Sequence, residues 1–187
     1  MSTIIRMFAI TILLGITTLT ILDTGRAMAA SKAEIDSKVD AAFPKLIENN
    51  TAARLLAKEA KAILVFPSII KGGFIWGGQI GEGALRIQGK TVGYYNTVAA
   101  SYGLQAGLQK FGYALFFMTD SALAYLDKSG GWEVGVGPSI VIVDAGVAKA
   151  LTTTTARKEI YAFFFDQKGL MAGLGLQGTK ITRINPD

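Results

Sequence analysis

The chain contains no histidine and no cysteine. Those two absences remove Ser-His and Cys-His nucleophile pairs, the usual zinc ligand sets, imidazole acid–base work and disulfides. They also remove the lipid-bearing cysteine that a bacterial lipoprotein needs. One nucleophile-and-base spacing is left, Ser68-Ile69-Ile70-Lys71, the Ser-x-x-Lys of penicillin-recognising enzymes. A buried lysine can act as base toward such a serine. The accompanying Ser-Asp-Asn and Lys-Thr-Gly elements are missing, so a small Ser68/Lys71 hydrolase stands only as an alternative. Residues 84–91, ALRIQGKT, fit a loose phosphate-loop pattern, but Leu85, Arg86 and Ile87 are bulky where small residues must expose backbone N–H groups. A Val92-Gly93-Tyr94 strand follows where a helix is required, and a hairpin turn is the better reading. Residues 173–178, GLGLQG, match the dinucleotide fingerprint, yet too little chain follows for the helix and second strand. Glu82, Glu133 and Glu159 are the only glutamates in the glycine-rich part, and nothing brings two of them together as a glycosidase pair. No catalytic set, metal or cofactor is expected.

Binding is then the remaining chemistry. The formal charge is +5 over 187 residues; without residues 1–29, which hold Arg6, Arg26 and Asp23, it is +4. That excess suits an anionic membrane surface better than an acidic partner and is too small to argue for nucleic acid. Basic clusters interleaved with aromatics, as single-stranded nucleic-acid binders use, are absent from the sequence. Arg54, Lys58 and Lys61 lie at i, i+4 and i+7, a basic stripe that reads either as a solvated helix face or as a contact for lipid phosphates. Aromatics such as Phe74, Trp76, Tyr94, Tyr113 and Phe163 are more often core than ligand box.

The elements that must position these residues divide by composition. Residues 1–29 have the pattern of a secretory signal: Arg6, an uncharged apolar run over 8–22, and Ala27-Met28-Ala29 as a small-x-small cleavage site. The run is short for a membrane span, and cleavage after about Ala29 is expected, with an uncleaved anchor as the alternative. The mature protein is then exported, most simply to a periplasm. Residues 30–71 hold no glycine, whereas 20 of the chain's 22 lie after them. Residues 30–65 are predicted helical. Ser31 and Glu34 have capping-box spacing, Ile35, Val39, Ala42, Phe43, Leu46 and Ile47 form one apolar face, and Pro44 should kink or restart the helix. Asn49-Asn50-Thr51 can cap a second helix that carries Leu55, Leu56, Ala62 and Ile63 inward.

Residues 66–187 are predicted to be sheet. The run 66–87 is read as one strand with Gly73, Gly77, Gly81 and Gly83 on one side and Phe74, Trp76, Ile80, Ala84 and Arg86 on the other. A side reduced to hydrogen lets the sheet bend hard or lets a strand, helix or acyl chain approach. Further strands are expected over 91–98, 101–107, 112–118, 132–144 and 160–165, with a short helix over 120–126 capped by Thr119 or Asp120. A hairpin joins 160–165 to 170–184. Short connections imply antiparallel pairing.

Three blocks in order carry a family resemblance: residues 60–83, AKAILVFPSIIKGGFIWGGQIGEG; residues 101–107, SYGLQAG; and residues 168–178, KGLMAGLGLQG. From about Ser31 to Asp187 the chain resembles the SYLF-domain family, which has secreted bacterial members and eukaryotic members at endocytic membranes. The resemblance implies non-enzymatic binding to membrane lipids, phosphoinositides in eukaryotic members, partly through a basic amphipathic N-terminal segment. Actin-related roles of eukaryotic members do not carry over to an exported protein.

The expectation is therefore a single α+β domain, N-terminal helices packed on a curved, glycine-rich antiparallel sheet that could close as a barrel. The expected function is non-catalytic lipid or membrane-surface binding in the bacterial envelope. Candidate lipid-binding residues are Arg54, Lys58, Lys61, Lys71, Phe74, Trp76 and Arg86. A self-associating structural envelope protein is the other non-catalytic alternative.

Overall fold

A computed structural model describes residues 30–73, 76–102, 107–128, 130–152, 156–168, 176 and 178–187. The predicted signal over 1–29, Phe74, the polar loop 153–155 and most of the block 169–177 lie outside the described residues.

Helix α1 (Lys32–Asn49) begins at Ser31, whose hydroxyl accepts a hydrogen bond from the Glu34 N–H. Glu34 does not complete the box; its carboxylate pairs with Lys38 at 2.6 Å instead. Ile35, Val39, Ala42 and Leu46 form the buried stripe. That stripe continues on both sides of Pro44, and the helix runs through the proline without the expected restart. Asn50 caps helix α2 (Thr51–Glu59) by accepting from Ala53 N at 3.0 Å. Ala62 and Ile63 belong to the first strand rather than to this helix.

The strands are β1 (Ala62–Gly73), β2 (Trp76–Ile87), β3 (Lys90–Tyr102), β4 (Gly107–Phe117), β5 (Trp132–Glu133), β6 (Ile140–Ile142), β7 (Ile160–Lys168) and β8 (Lys180–Ile184). They form one curled sheet in the order β5-β8-β3-β2-β1-β4-β7-β6. Every pairing is antiparallel except β6 with β7, which is parallel, so the sheet is mixed. The run 66–87 is thus two strands rather than one: Gly72 pairs with Gly78 and Gly73 with Gly77 across a hairpin. The β2–β3 turn is a tight hairpin with φ of 50° at Gln88 and 79° at Gly89, the mirror-image turn that suits strand twist.

The space that the glycines leave bare on β2 is filled from within the sheet. Pro67 cannot donate to a ladder, and β1 bulges around it against both neighbours. A Cβ on Gly81 would meet the Ser68 carbonyl oxygen at 2.7 Å, and one on Gly83 would meet Phe66 Cδ1 at 2.7 Å and clash with the Val65 carbonyl. The bare side at Gly81 and Gly83 therefore receives β1 itself, not a lipid tail.

Three other expectations change. Residues 132–144 are not one strand: Gly135 and Gly137 take φ of 105° and 93°, which ends β5 after two residues. Asp144, expected at a strand end, caps helix α4 (Ala145–Ala150) through both Gly146 and Val147 N–H groups. Strands β7 and β8 are not a hairpin; β7 pairs with β4 and β8 with β3, on opposite sides of the hairpin β1–β2. The short helix α3 (Asp120–Leu123) is capped by Thr119 as expected and runs into a 3-10 turn, Ala124–Asp127.

Both sheet faces are packed. One carries Leu64, Phe66, Ile69, Phe111, Tyr113 and Leu115 against Leu126, Trp132, Val134 and Leu176. The other carries Ile63, Val65, Ala84, Ala114, Phe116 and Phe163 against α1 and α2.

Helix α1 is also tied down electrostatically. Asp36 accepts from Thr91 Oγ1 at 2.6 Å and Tyr94 OH at 2.7 Å, and pairs with Arg86 Nη2 at 3.2 Å. Burial alone would raise the Asp36 pKa; the two hydroxyls and the Arg86 charge outweigh it and hold the carboxyl below its ordinary 3.8. A carboxyl depressed in the folded state stabilises above its unfolded pKa, and that stability is lost as pH falls through the folded value. Asp36→Asn should lower stability by about 1–3 kcal/mol at neutral pH, the range for charged hydrogen bonds. It should also flatten the acid limb below about pH 4 in urea titrations run across pH. An unchanged acid limb would remove Asp36 as the anchor.

Candidate functional site

Residues directly opposite in adjacent strands share a face. On the helix-bearing face, the ladders align one row across six strands. Lys168 of β7 is opposite Lys110 of β4, which is opposite Ile70 of β1; Ile70 is opposite Ile80 of β2, then Val98 of β3 and Lys180 of β8. This row runs beside the flank of α1, where Lys38 shares hollows with Ile70, Ile80 and Lys110. Ile70, Ile80 and Val98 are 52%, 58% and 43% exposed, and Leu108, beside Gly72 one row nearer the tip, is 72% exposed. Lys110, Lys168 and Lys180 are exposed, and none of them makes an ion pair among the described residues. An aliphatic centre is thus bracketed by cations on both sides.

The predicted site residues do not converge. Arg54 and Lys58 are exposed on α2, and Lys61 follows that helix, next to the start of β1. Arg54 also donates to Thr51 Oγ1. Lys71 lies near the other end of β1, nine residues beyond Ala62 and about 30 Å along the strand. Trp76 opens β2 at that end, and Phe74 is outside the described residues. Arg86 is committed elsewhere: it pairs with Asp36 and Asp40, donates to the Gly89 carbonyl, and is opposite Ile63 near the α2 end. The stripe and the hairpin tip are therefore separate surfaces.

The Ser68/Lys71 alternative loses its geometry. Ser68 is opposite Glu82 and Lys71 opposite Gln79, so three residues of strand place them on opposite faces. Among the described residues no group of three potential metal ligands occurs, and no helix is long and apolar enough to cross a membrane.

Sequence reasoning did not single out the exposed row of Ile80 with Ile70, Val98, Leu108, Lys110, Lys168 and Lys180. Their common feature is cross-strand register, which links positions up to 110 residues apart and leaves no local signal.

The architecture is that of a mixed sheet with the two N-terminal helices on one face and an exposed aliphatic row beside them. The family model described as "Ysc84: Las17-binding protein actin regulator" matches residues 98–185, 88 of the 187 residues. This bears out the SYLF-domain resemblance: two of its three blocks lie in or across the matched stretch, and the block at 60–83 precedes it. No curated protein matches the chain. The domain family points in general to binding of membranes or of other proteins.

Proposed function

We propose that the chain is a non-catalytic membrane-surface protein, exported through its N-terminal signal and acting in a bacterial envelope. In this reading it docks on anionic phospholipid by the uncovered end of its sheet. The observation that carries this is the row Lys110, Ile70, Ile80, Val98, Lys180, aliphatic in the middle and cationic at both ends. Apolar area entering a bilayer contributes about 25 cal/mol per Å², and each lysine near an anionic surface about 1 kcal/mol. A second copy is a poorer occupant: a twofold pairing of such rows sets lysine ends against lysine ends. The actin-related description of the matched family concerns its own named partner.

The test is sedimentation of the mature protein with anionic and with neutral vesicles at low and high salt. Binding to anionic vesicles is expected to weaken with salt and to fall about a hundredfold when Lys110, Lys168 and Lys180 are all changed to Glu. Equal indifference to both vesicle types would end the proposal. Concentration-dependent self-association without lipid, abolished by the same changes, would replace it with the structural alternative.

A further inference from the structure

The row adjoins a hollow that the function above leaves without a ligand. It has a volume of about 570 Å³ and lies between α1 and the ends of β1, β4 and β7. Its walls include Lys38, Lys45, Lys110, Lys168, Ser68 and Asp166. Lys38 is already paired with Glu34 at 2.6 Å. Lys45, Lys110 and Lys168 have no ion-pair partner among the described residues, and Asp166 is the one carboxylate in the lining. Three uncommitted cations against one anion leave two positive charges to be matched. The Ser68 hydroxyl, beside the Pro67 bulge, has no hydrogen-bond partner among the described residues and adds a neutral donor. Ile70 lines the same hollow, so it opens at the edge of the surface assigned above to the bilayer, at the level where head groups lie.

A phosphodiester carries one negative charge; a phosphomonoester carries between one and a half and two at neutral pH, with its second ionisation near pH 6. We infer that this hollow seats the phosphomonoester head group of a bilayer lipid, held by Lys45, Lys110, Lys168 and Ser68. The inference rests on the membrane reading and adds to it a head-group preference. A free phosphomonoester shares the chemistry, and the hydrocarbon-facing Ile70 at the rim favours the lipid.

The experiment compares vesicles doped with phosphatidic acid or with phosphatidylglycerol, adjusted to equal zeta potential, with glycerol 3-phosphate as soluble competitor. Phosphatidic acid vesicles are expected to bind about tenfold more tightly at pH 7.5. That preference should shrink at pH 5, where the monoester loses its second charge. Lys45→Gln with Ser68→Ala, which leaves the lysines of the row untouched, should erase the preference while leaving most phosphatidylglycerol binding, and circular dichroism checks that these changes leave the fold intact. Ile80→Asp should weaken both vesicle types alike. Equal binding of the two lipids by the unchanged protein overturns the head-group seat and leaves the membrane reading standing. Loss of binding to neither lipid on Ile80→Asp overturns the membrane reading. Glycerol 3-phosphate bound as tightly as the vesicles overturns the lipid assignment in favour of a soluble ligand.

Discussion

Gly83→Ala is expected to be among the most damaging single-methyl changes in the protein. The new Cβ would press on the Val65 carbonyl and lie 2.7 Å from Phe66 Cδ1. The first contact is backbone, so relief requires β1 to move away from β2 along a central ladder of the sheet. Phe66 is fully buried and stacks at 4.8 Å on Tyr113, so it has little freedom to turn aside. Overpacking of this kind costs about 3 kcal/mol. A melting-temperature drop of about 6–12 °C follows for a domain of this size. Gly89→Ala is the useful contrast. It has open space around the new Cβ but a φ of 79°, so only local strain of about 1 kcal/mol is expected. Thermal unfolding of the two variants measures the difference, and equal melting temperatures would refute the close approach of β1 to β2.

Ile70→Asp combined with Ile80→Asp is expected to detach the protein from anionic vesicles while leaving it folded. Both side chains are more than half exposed, so their contribution to stability is small. In contact with a bilayer they would lose that exposure, and the two carboxylates would repel the anionic surface. Together these terms amount to about 3 kcal/mol, a hundredfold or more in affinity. Arg54→Gln with Lys58→Gln and Lys61→Gln is the paired control. Those residues lie toward the other end of β1, and their loss should change affinity less than fivefold, the effect of about one lysine. The opposite ranking, with the stripe dominant and the aliphatic row silent, would move the binding surface onto α2.

How much of this was legible in the sequence depends on the range of the interaction. Ser31, Asn50 and Thr119 are caps that act within three residues, and each was readable as one. The stripe Ile35, Val39, Ala42, Leu46 was equally plain, because its partners repeat at helical spacing. The turn at Gln88-Gly89 disposed of the phosphate-loop reading for a local reason. Failures begin where a local pattern meets a distant neighbour. Residues 66–87 alternate through the hairpin bend, so period-2 patterning runs over it without a break. Val134 and Val136 alternate as a strand would, but Trp132 Nε1 donates to the Val136 carbonyl and Gly137 packs on the Tyr125 ring, which together close a loop. The β7–β8 hairpin was the natural reading of neighbouring strands, and it yields because each strand buries its apolar residues against a different partner, β4 or β3. Arg86 looked like a free cation for a phosphate. The two carboxylates that hold it, Asp36 and Asp40, are one helical turn apart and about fifty residues earlier. The block at 60–83 covers β1 and part of β2, which carry Ile70 and Ile80, but the lysines that border them come from β4, β7 and β8, which only register could supply.

The central claim is that the uncovered end of the sheet, rather than the α2 stripe, faces the membrane. With no native cysteine in the chain, a nitroxide can be placed singly at Ile80→Cys and, in a second protein, at Lys58→Cys. Electron paramagnetic resonance then compares collision with oxygen, which concentrates in hydrocarbon, against a water-soluble nickel chelate. On adding anionic vesicles, the probe at position 80 is predicted to gain oxygen accessibility and lose nickel accessibility, while the probe at position 58 keeps its aqueous values. A probe at 80 that stays aqueous while the one at 58 becomes shielded would contradict the account.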